Sequence, residues 1–123
     1  MNLVDSCGWF EYMTDGPGAD FFTQAIHQID QLVVPVICLY EVYKATAREC
    51  GEEAAIEAIA MMRQGIVKEI NESTALHAAQ LGLQHRLPMA DSLILAIAHE
   101  NNATLWTQDS HFKDLSGIQF REA

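Results

Sequence analysis

The segment LPMADSLILAIAHENNATLWTQDSHF, which spans residues 87–112, predicts a helix followed directly by a buried strand. Pro88 suits the first turn of that helix, and Asn101-Asn102 suits a left-handed exit from it. Between them, apolar residues recur at helical spacing, at Leu93, Ile94, Ile97 and Ala98. The residues that follow, 103–107, have the length and the β-branched and aromatic content of a strand.

Two aspartates accompany this helix and strand. Asp91 lies in the predicted first helical turn, and Asp109 follows the predicted strand in the turn-like sequence Gln108-Asp109-Ser110. In an open parallel α/β sheet, the carboxyl ends of the strands and the amino ends of the helices meet at one edge. We therefore expect Asp91 and Asp109 to face the same crevice, an arrangement that favours a bound metal ion.

The rest of the chain alternates short apolar strands with amphipathic helices. Further strands are predicted at 2–4, 32–35, 66–67 and 118–120. Further helices are predicted at 20–29, 36–50, 52–62, from a cap at 71–73 toward 85–86, and at 111–115. This alternation predicts a three-layer α/β fold, with a short parallel-stranded sheet covered by helices on both faces. Because no repeat or linker interrupts it, residues 1–123 are expected to form a single domain.

Two further acids fall at the same predicted edge of the sheet. Asp5 follows the first strand, and Glu41 lies early in the helix after the second strand. Taken singly, each has an ordinary explanation, since Asp5 can cap the next helix and Glu41 can lie on a solvated helix face near Lys44 and Arg48. Four acids that meet at one edge, however, need a shared reason.

A divalent metal provides that reason. Carboxylates that converge without basic partners repel one another and raise one another's pKa, and such a cluster is usually sustained by Mg²⁺ or Mn²⁺, which prefer oxygen ligands. A site with one or two such ions can orient water, lower its pKa and stabilise the leaving oxygen of a phosphodiester. The sequence therefore predicts a Mg²⁺ or Mn²⁺ site, suited to hydrolysis of nucleic acid, at Asp5, Glu41, Asp91 and Asp109.

The overall composition narrows the range of partners. Seventeen acids against seven bases give a formal net charge of −10, which argues against broad electrostatic capture of nucleic acid and favours a basic partner. Divalent cations held by clustered carboxylates invert the local field, so a phosphate substrate is compatible with this charge. Since no apolar run approaches the roughly 20 residues that span a bilayer and no signal peptide opens the chain, we expect a soluble, cytoplasmic protein without membrane association.

The cysteines and histidines form no familiar catalytic or zinc-binding pattern. Cys7, Cys38 and Cys50 are odd in number and lack a CxxC pair, so we expect buried free thiols. Cys7 is near Asp5 but has no histidine in its segment, which favours a packed thiol over a nucleophile. The histidines lack the close spacing of zinc ligands and are expected to be surface or core residues, at 77, 85, 99 and 111.

Four segments, taken in order, resemble the successive motifs of PIN-domain ribonucleases, specifically toxins of the VapC type. They are LVDSCGWFEY, LYEVYKA, MADSLILAIA and TLWTQDSHF, and together they extend over nearly the whole chain. Matched residue by residue, the family's four metal-site acids fall on Asp5, Glu41, Asp91 and Asp109. Supporting hydroxyl positions fall on Ser6 and Thr107, while Cys7 stands where many relatives carry Asn or Ser.

The resemblance implies a PIN-like fold and a Mg²⁺- or Mn²⁺-dependent endoribonuclease, the toxin of a type II toxin–antitoxin system, which inhibits translation by cutting RNA. It also implies a homodimer and a cognate VapB-like antitoxin. We expect this antitoxin to present an apolar helix and at least one arginine or lysine to the acidic crevice, because a guanidinium pairs carboxylates bidentately. The aromatic segments at 9–13 and 21–22 are candidates for the groove that receives it.

Two alternatives share parts of this pattern. A phosphoacceptor receiver domain is also acidic, α/β and Mg²⁺-binding, but it requires paired acids after the first strand and a lysine at the end of a late strand. This chain has Asp5 alone at the first position and Thr107-Gln108 at the second. The other alternative, a non-catalytic binding module that keeps the PIN fold, is disfavoured by the presence of all four acids.

Overall fold

The fold is built on a five-stranded parallel sheet, seen in a computed structural model that describes residues 1–123. Its strands lie in the order β3-β2-β1-β4-β5, and every neighbouring pair is parallel. The strands are β1 (Asn2–Val4), β2 (Leu32–Pro35), β3 (Ile66–Lys68), β4 (Thr104–Thr107) and β5 (Ile118–Phe120). The alternation of strands and helices in the sequence thus leads to the parallel sheet that it predicted.

Six α-helices flank the sheet. They are α1 (Ser6–Met13), α2 (Ala19–Ile26), α3 (Val36–Cys50), α4 (Glu52–Met62), α5 (Glu72–His85) and α6 (Met89–Glu100). Two 3₁₀ turns are formed by Ile29–Gln31 and Ser110–Phe112. None of the helices combines the length and the apolar character needed to cross a bilayer.

Both faces of the sheet are covered. Successive strand residues point to opposite faces, yet Leu3 and Val4 are both fully buried, as are all four residues of β2. Strands that are apolar and buried on both faces are typical of a parallel sheet between two helical layers. The predicted three-layer α/β fold is therefore confirmed. Its core also contains large side chains from outside the strands, among them Trp9, Phe22, Ile94 and Phe112.

Three local predictions were wrong. The helix predicted over 20–29 ends at Ile26, because Gln28 leaves the helical region at φ −95° and ψ 59° and a 3₁₀ turn follows. The helix predicted over 111–115 is a single 3₁₀ turn, since the chain passes through Gly117, at φ 76°, into β5. Pro88 precedes α6 in an extended conformation instead of forming part of its first turn.

The strand order places a crevice at the carboxyl ends of β1 and β4. The chain steps from β1 to β2 to β3 in one direction and then returns to the other side of β1 for β4. In open α/β sheets, such a reversal opens a crevice between the two strands, and ligands bind there. The same order excludes the receiver alternative, because receivers of the flavodoxin-like type have the order 2-1-3-4-5.

Candidate functional site

Four carboxylates surround one small cavity in this crevice. The cavity has a volume of about 180 Å³, and its lining is formed by Asp5, Ser6, Cys7, Glu41, Asp91, Ile94 and Asp109. Asp5 directly follows β1, Asp109 lies two residues beyond β4, and Glu41 and Asp91 come from α3 and α6. The structure thus brings all four sequence-predicted acids to the same cavity.

Asp5 is the most buried of the four, with only 3% of its surface exposed. It caps α1, since its Oδ1 accepts the backbone N–H of Gly8 at 2.9 Å, and its Oδ2 accepts the hydroxyl of Thr107. Burial raises the pKa of Asp5 from 3.8 to about 6, against the opposing effect of these hydrogen bonds. The explanation of Asp5 as a helix cap is therefore correct but incomplete, because the ionised carboxylate stays destabilised and a nearby cation would relieve it.

Gly8 allows α1 to start at this position. A Cβ at residue 8 would lie 2.6 Å from Cε1 of Phe22 and 2.6 Å from Cγ1 of Val4, both of which are buried. Contacts this short are not tolerated between real side chains. The glycine therefore lets the first turn of α1 lie directly on the core, which holds Asp5 at the end of β1.

Thr107 connects two of the acids. Its side chain is fully buried, and its hydroxyl donates to Asp5 while accepting the backbone N–H of Asp109 at 2.9 Å. One hydroxyl thus acts as donor and as acceptor at the same time. Its bond to Asp5 joins residues 102 positions apart and links the ends of β1 and β4 at the cavity. Thr107 therefore contacts both Asp5 and Asp109, and its supporting role at the site stays a prediction.

Glu41 is held by the second hydroxyl that the sequence singled out. Ser6 Oγ donates to Glu41 Oε1 at 2.5 Å, and Glu41 is partly buried on the side of α3 that faces the cavity. The nearby Lys44 Nζ instead contacts the hydroxyl of Tyr40 at 3.4 Å, and Arg48 pairs with Glu49. The structure therefore does not support the explanation of Glu41 as a solvated helix acid with a basic neighbour on its own helix.

Asp91 and Asp109 share a histidine. Nδ1 of His111 lies 2.9 Å from Asp91 Oδ2 and 3.0 Å from Asp109 Oδ1. Burial, together with the charge of Asp109, raises the pKa of Asp91 to about 6, and the hydrogen bond to Asp91 raises the pKa of His111. The expectation that the acids converge without a basic partner was therefore wrong. The signal that was available in the sequence is the position of His111, two residues after Asp109 and directly after the predicted turn Gln108-Asp109-Ser110.

The donor set fits a hard divalent cation. No lysine or arginine forms a salt bridge with any of the four carboxylates, and His111 is the single basic side chain that does. Two of the acids have raised pKa values because burial and mutual repulsion oppose their charge. Carboxylate oxygens on a small cavity are ligands of the kind that Mg²⁺ and Mn²⁺ take.

The Cys7 thiol completes the wall of the cavity beside Asp5. Its Sγ lies 2.9 Å from Asp5 Oδ1 and donates to it, and burial together with the charge of Asp5 raises the pKa of the thiol. Cys7 thus stays protonated and serves as a hydrogen-bond donor, in agreement with its interpretation as a packed thiol. Cys38 is buried as expected and Cys7 is partly buried, but Cys50 is exposed, so the prediction of three buried thiols was wrong for Cys50 and only partly right for Cys7.

A larger groove adjoins the cavity and shares three residues with it. This groove, with a volume of about 690 Å³, is lined by Ser6, Cys7, Phe10, Thr14, Tyr40, Glu41, Lys44, Ala45, Arg48, Glu49 and Cys50. Its walls are α1 and α3, and two of the seven basic side chains of the protein lie along it. Of the aromatic segments expected to form a groove, Trp9 and Phe22 are fully buried in the core, and Phe10 alone lines the groove.

Comparison with solved structures finds the same fold in several proteins. A toxin–antitoxin complex from Klebsiella pneumoniae is similar with a TM-score of 0.77 and 20% identity, over 97% of this chain and 96% of the other. VapC20 from Mycobacterium tuberculosis, a sarcin–ricin loop cleaving toxin, is similar with a TM-score of 0.80 and 15% identity, over 94% and 95%. VapBC-1 from Haemophilus influenzae is similar with a TM-score of 0.71 and 21% identity, over 98% and 96%.

Comparison of sequences identifies the family. A search among curated proteins gave no match. The family model of the PIN domain, in contrast, matches residues 3–118, which include β4, β1 except for its first residue, and all four acids. This range is nearly the whole chain, and the three-layer parallel fold is the one that the resemblance implied. The chain belongs to the PIN domain family.

Proposed function

We propose that this PIN domain is a Mg²⁺- or Mn²⁺-dependent endoribonuclease and the toxin of a type II toxin–antitoxin system, which inhibits translation by cutting RNA. The observation that carries the proposal is the convergence of four carboxylates on one cavity without a lysine or arginine partner. The fold that the chain shares with VapC20, described as a sarcin–ricin loop cleaving toxin, supports the same proposal. Since the proposed substrate is RNA, the proposed place of action is the cytoplasm.

In this proposal the metal is held by Asp5, Glu41, Asp91 and Asp109. A divalent ion supplies two things to phosphodiester hydrolysis, a water of lowered pKa and stabilisation of the negative charge on phosphate and leaving oxygens. Thr107 fixes the relative position of Asp5 and Asp109, and Ser6 orients Glu41. These two hydroxyls therefore preorganise carboxylates that would otherwise move apart under their mutual repulsion.

The groove between α1 and α3 is proposed to receive the RNA strand. The protein is strongly acidic overall, so contacts to phosphate depend on a few local bases. Lys44 and Arg48 lie along the groove, which is continuous with the acidic cavity through Ser6, Cys7 and Glu41. Phosphates of the RNA bound at Lys44 and Arg48 would lead the strand toward the carboxylates. Phe10 and Tyr40 offer rings on which unpaired nucleobases can stack.

The same groove is proposed as the place where a VapB-like antitoxin binds. Among the solved structures that share this fold are toxin–antitoxin complexes, including those from Klebsiella pneumoniae and Haemophilus influenzae. An apolar helix of the antitoxin would cover Phe10 and Tyr40, and a basic side chain would enter the acidic cavity. Inhibition is then competitive with RNA. Alanine at the basic residues of a purified stoichiometric partner should abolish the inhibition, and full inhibition without them would contradict this mechanism.

We also propose a homodimer. Leu76 and Leu83 lie on the same side of α5, seven residues apart, and are 63% and 86% exposed; Met89, at the start of α6, is 75% exposed. Large apolar side chains that are this exposed and this close in sequence are typical of an interface. Light scattering should give twice the monomer mass at micromolar concentration, and replacing both leucines by glutamate should lower it. A monomeric mass for the unaltered protein would contradict the proposal.

Sequencing of RNA ends after brief expression tests the proposed activity. New 5′ ends are expected with the unaltered protein and not with Asp5→Asn, since asparagine keeps the cap of α1 but lacks the carboxylate charge. Purified protein should cut the same RNA with Mg²⁺ or Mn²⁺ and not with EDTA. Equal cleavage by both proteins would refute the metal-site assignment, and the absence of cleavage by both would favour the non-catalytic binding module.

A further inference from the structure

His111 lies against the two acids that come from opposite sides of the crevice. Its Nδ1 is 2.9 Å from Asp91 Oδ2 and 3.0 Å from Asp109 Oδ1. The His111 side chain is 51% exposed, whereas the Asp91 side chain is 16% exposed. The ring therefore reaches the acids from the solvent side, and core packing does not force it into this position.

The local backbone explains why the ring lies there. Asp109 caps the 3₁₀ turn Ser110–Phe112, and its Oδ1 accepts the backbone N–H of His111 at 2.9 Å. The neighbouring Phe112 is fully buried and anchors the turn in the core. The backbone of His111 is thus held between a capping bond and a buried anchor, at a position from which its imidazole reaches Asp91.

The spacing of the three ligand atoms is that of a coordination sphere. The three ligand atoms are a ring nitrogen of His111 and one carboxylate oxygen from each of Asp91 and Asp109. They all lie within 4.8 Å of one another. Mg²⁺ and similar ions bind ligands at about 2.0–2.1 Å in octahedral geometry, so adjacent ligands are about 3 Å apart and opposite ones about 4.2 Å. The two distances from Nδ1, 2.9 and 3.0 Å, match the spacing of adjacent ligands.

We propose that His111 Nδ1 is a protein ligand, together with Asp91 and Asp109, of the divalent metal at this site, and that it shifts the preference of the site from Mg²⁺ toward Mn²⁺ and later transition-metal ions. This inference rests on the metal site of the proposed function. Carboxylate and water ligands suit Mg²⁺, and an imidazole nitrogen favours transition metals over it. When the metal binds, a proton on Nδ1 leaves to solvent and the nitrogen lone pair takes its place.

A second explanation of the same geometry has the opposite consequence. A protonated imidazole between two carboxylates can act as a counter-ion that replaces the metal, and its removal would then strengthen metal binding. A ligand and a competitor are distinguished by the direction in which the metal affinity changes when His111 is replaced. They are also distinguished by whether nitrogen is bonded to the bound metal.

The experiment combines metal titration with pulsed electron paramagnetic resonance of the full chain loaded with Mn²⁺. The variants are His111→Gln and His111→Ala, with His99→Gln as the matched control. His99 is an exposed histidine outside the cavity lining, and its ring lies 5.8 Å from that of His77. Because His111 and His99 are both exposed, all three variants should keep the circular dichroism spectrum of the unaltered protein.

The unaltered protein and His99→Gln should both show a ¹⁴N modulation from an imidazole bonded directly to Mn²⁺. Both His111 variants should lose this modulation. Calorimetry should show that the Mn²⁺ Kd rises by about ten- to a hundredfold in these variants, while the Mg²⁺ Kd changes less. Mn²⁺ binding without ¹⁴N modulation in the unaltered protein, or tighter binding by the variants, would overturn the role of His111 but leave the acidic metal site intact. No Mn²⁺ binding by the unaltered protein would instead overturn the proposed function itself.

Discussion

Asp5→Asn is expected to stabilise the metal-free protein at neutral and alkaline pH. The pKa of Asp5 is about 6 in the folded chain against 3.8 for the unperturbed group, so the folded state binds this proton more tightly than the unfolded state. The contribution of Asp5 to stability is therefore fully present below pH 3.8 and falls as the pH rises through 6. A difference of about two pKa units corresponds to about 3 kcal/mol above pH 6, as an upper bound.

Asparagine removes the destabilising charge of Asp5 but keeps some of its hydrogen bonds. It can still accept the N–H of Gly8, since asparagine is a good capping residue. Its amide nitrogen, however, cannot accept the Thr107 hydroxyl, and the loss of that bond costs about 1 to 1.5 kcal/mol. The net gain at about pH 8 is then about 1.5 to 2 kcal/mol, and we expect the melting temperature to rise by about 5 °C or more.

Urea unfolding in EDTA at about pH 5 and about pH 8 measures this effect. The free energy of unfolding of Asp5→Asn, relative to the unaltered protein, should rise by about 1.4 kcal/mol from about pH 5 to about pH 8. This is the change expected over the one pH unit between about pH 5 and the folded pKa of about 6. Asp114→Asn, at an exposed aspartate, is the control and should show no such change. With Mn²⁺ present, the unaltered protein should be the more stable of the two, because metal binding stabilises the unaltered protein alone. A variant that is less stable at pH 8 in EDTA, or an advantage independent of pH, would refute the assignment of a destabilised charge to Asp5.

Substitutions at three other positions test how the site is held. Gly8→Ala should destabilise the fold by about 1 to 3 kcal/mol in urea unfolding, because its Cβ meets Phe22 and Val4 at 2.6 Å; unchanged stability would show that α1 can move off the core. Thr107→Val should lower both stability, by about 2 kcal/mol, and RNA cleavage, whereas Thr107→Ser should keep both. Equal effects of valine and serine would argue against the shared hydroxyl. Glu41→Gln should weaken Mn²⁺ binding in calorimetry, and an unchanged affinity would leave Glu41 without a metal role.

The local pattern of the sequence was sufficient for most of the helices and strands and for placing the four acids at one edge of the sheet. The bounds of α3 and α4 were predicted correctly, because apolar periodicity and Gly51, with φ 95°, depend on residues close in the chain. Asp5 and Asp109 could be assigned to one edge because any parallel sheet brings the carboxyl ends of its strands together. That inference needs no knowledge of which strands are neighbours.

The tertiary structure alone decided the contacts between distant segments. Ser6 and Glu41 are 35 residues apart and Thr107 and Asp5 are 102 residues apart, so these pairings depend on how the crossover helices pack and on the adjacency of β1 and β4. His111 was interpreted as an ordinary histidine, since its contact with Asp91 joins two elements that periodicity treats separately. Side-chain periodicity reports which face of an element is buried, but the partner on that face is chosen by packing and strand order, and these act over the whole chain.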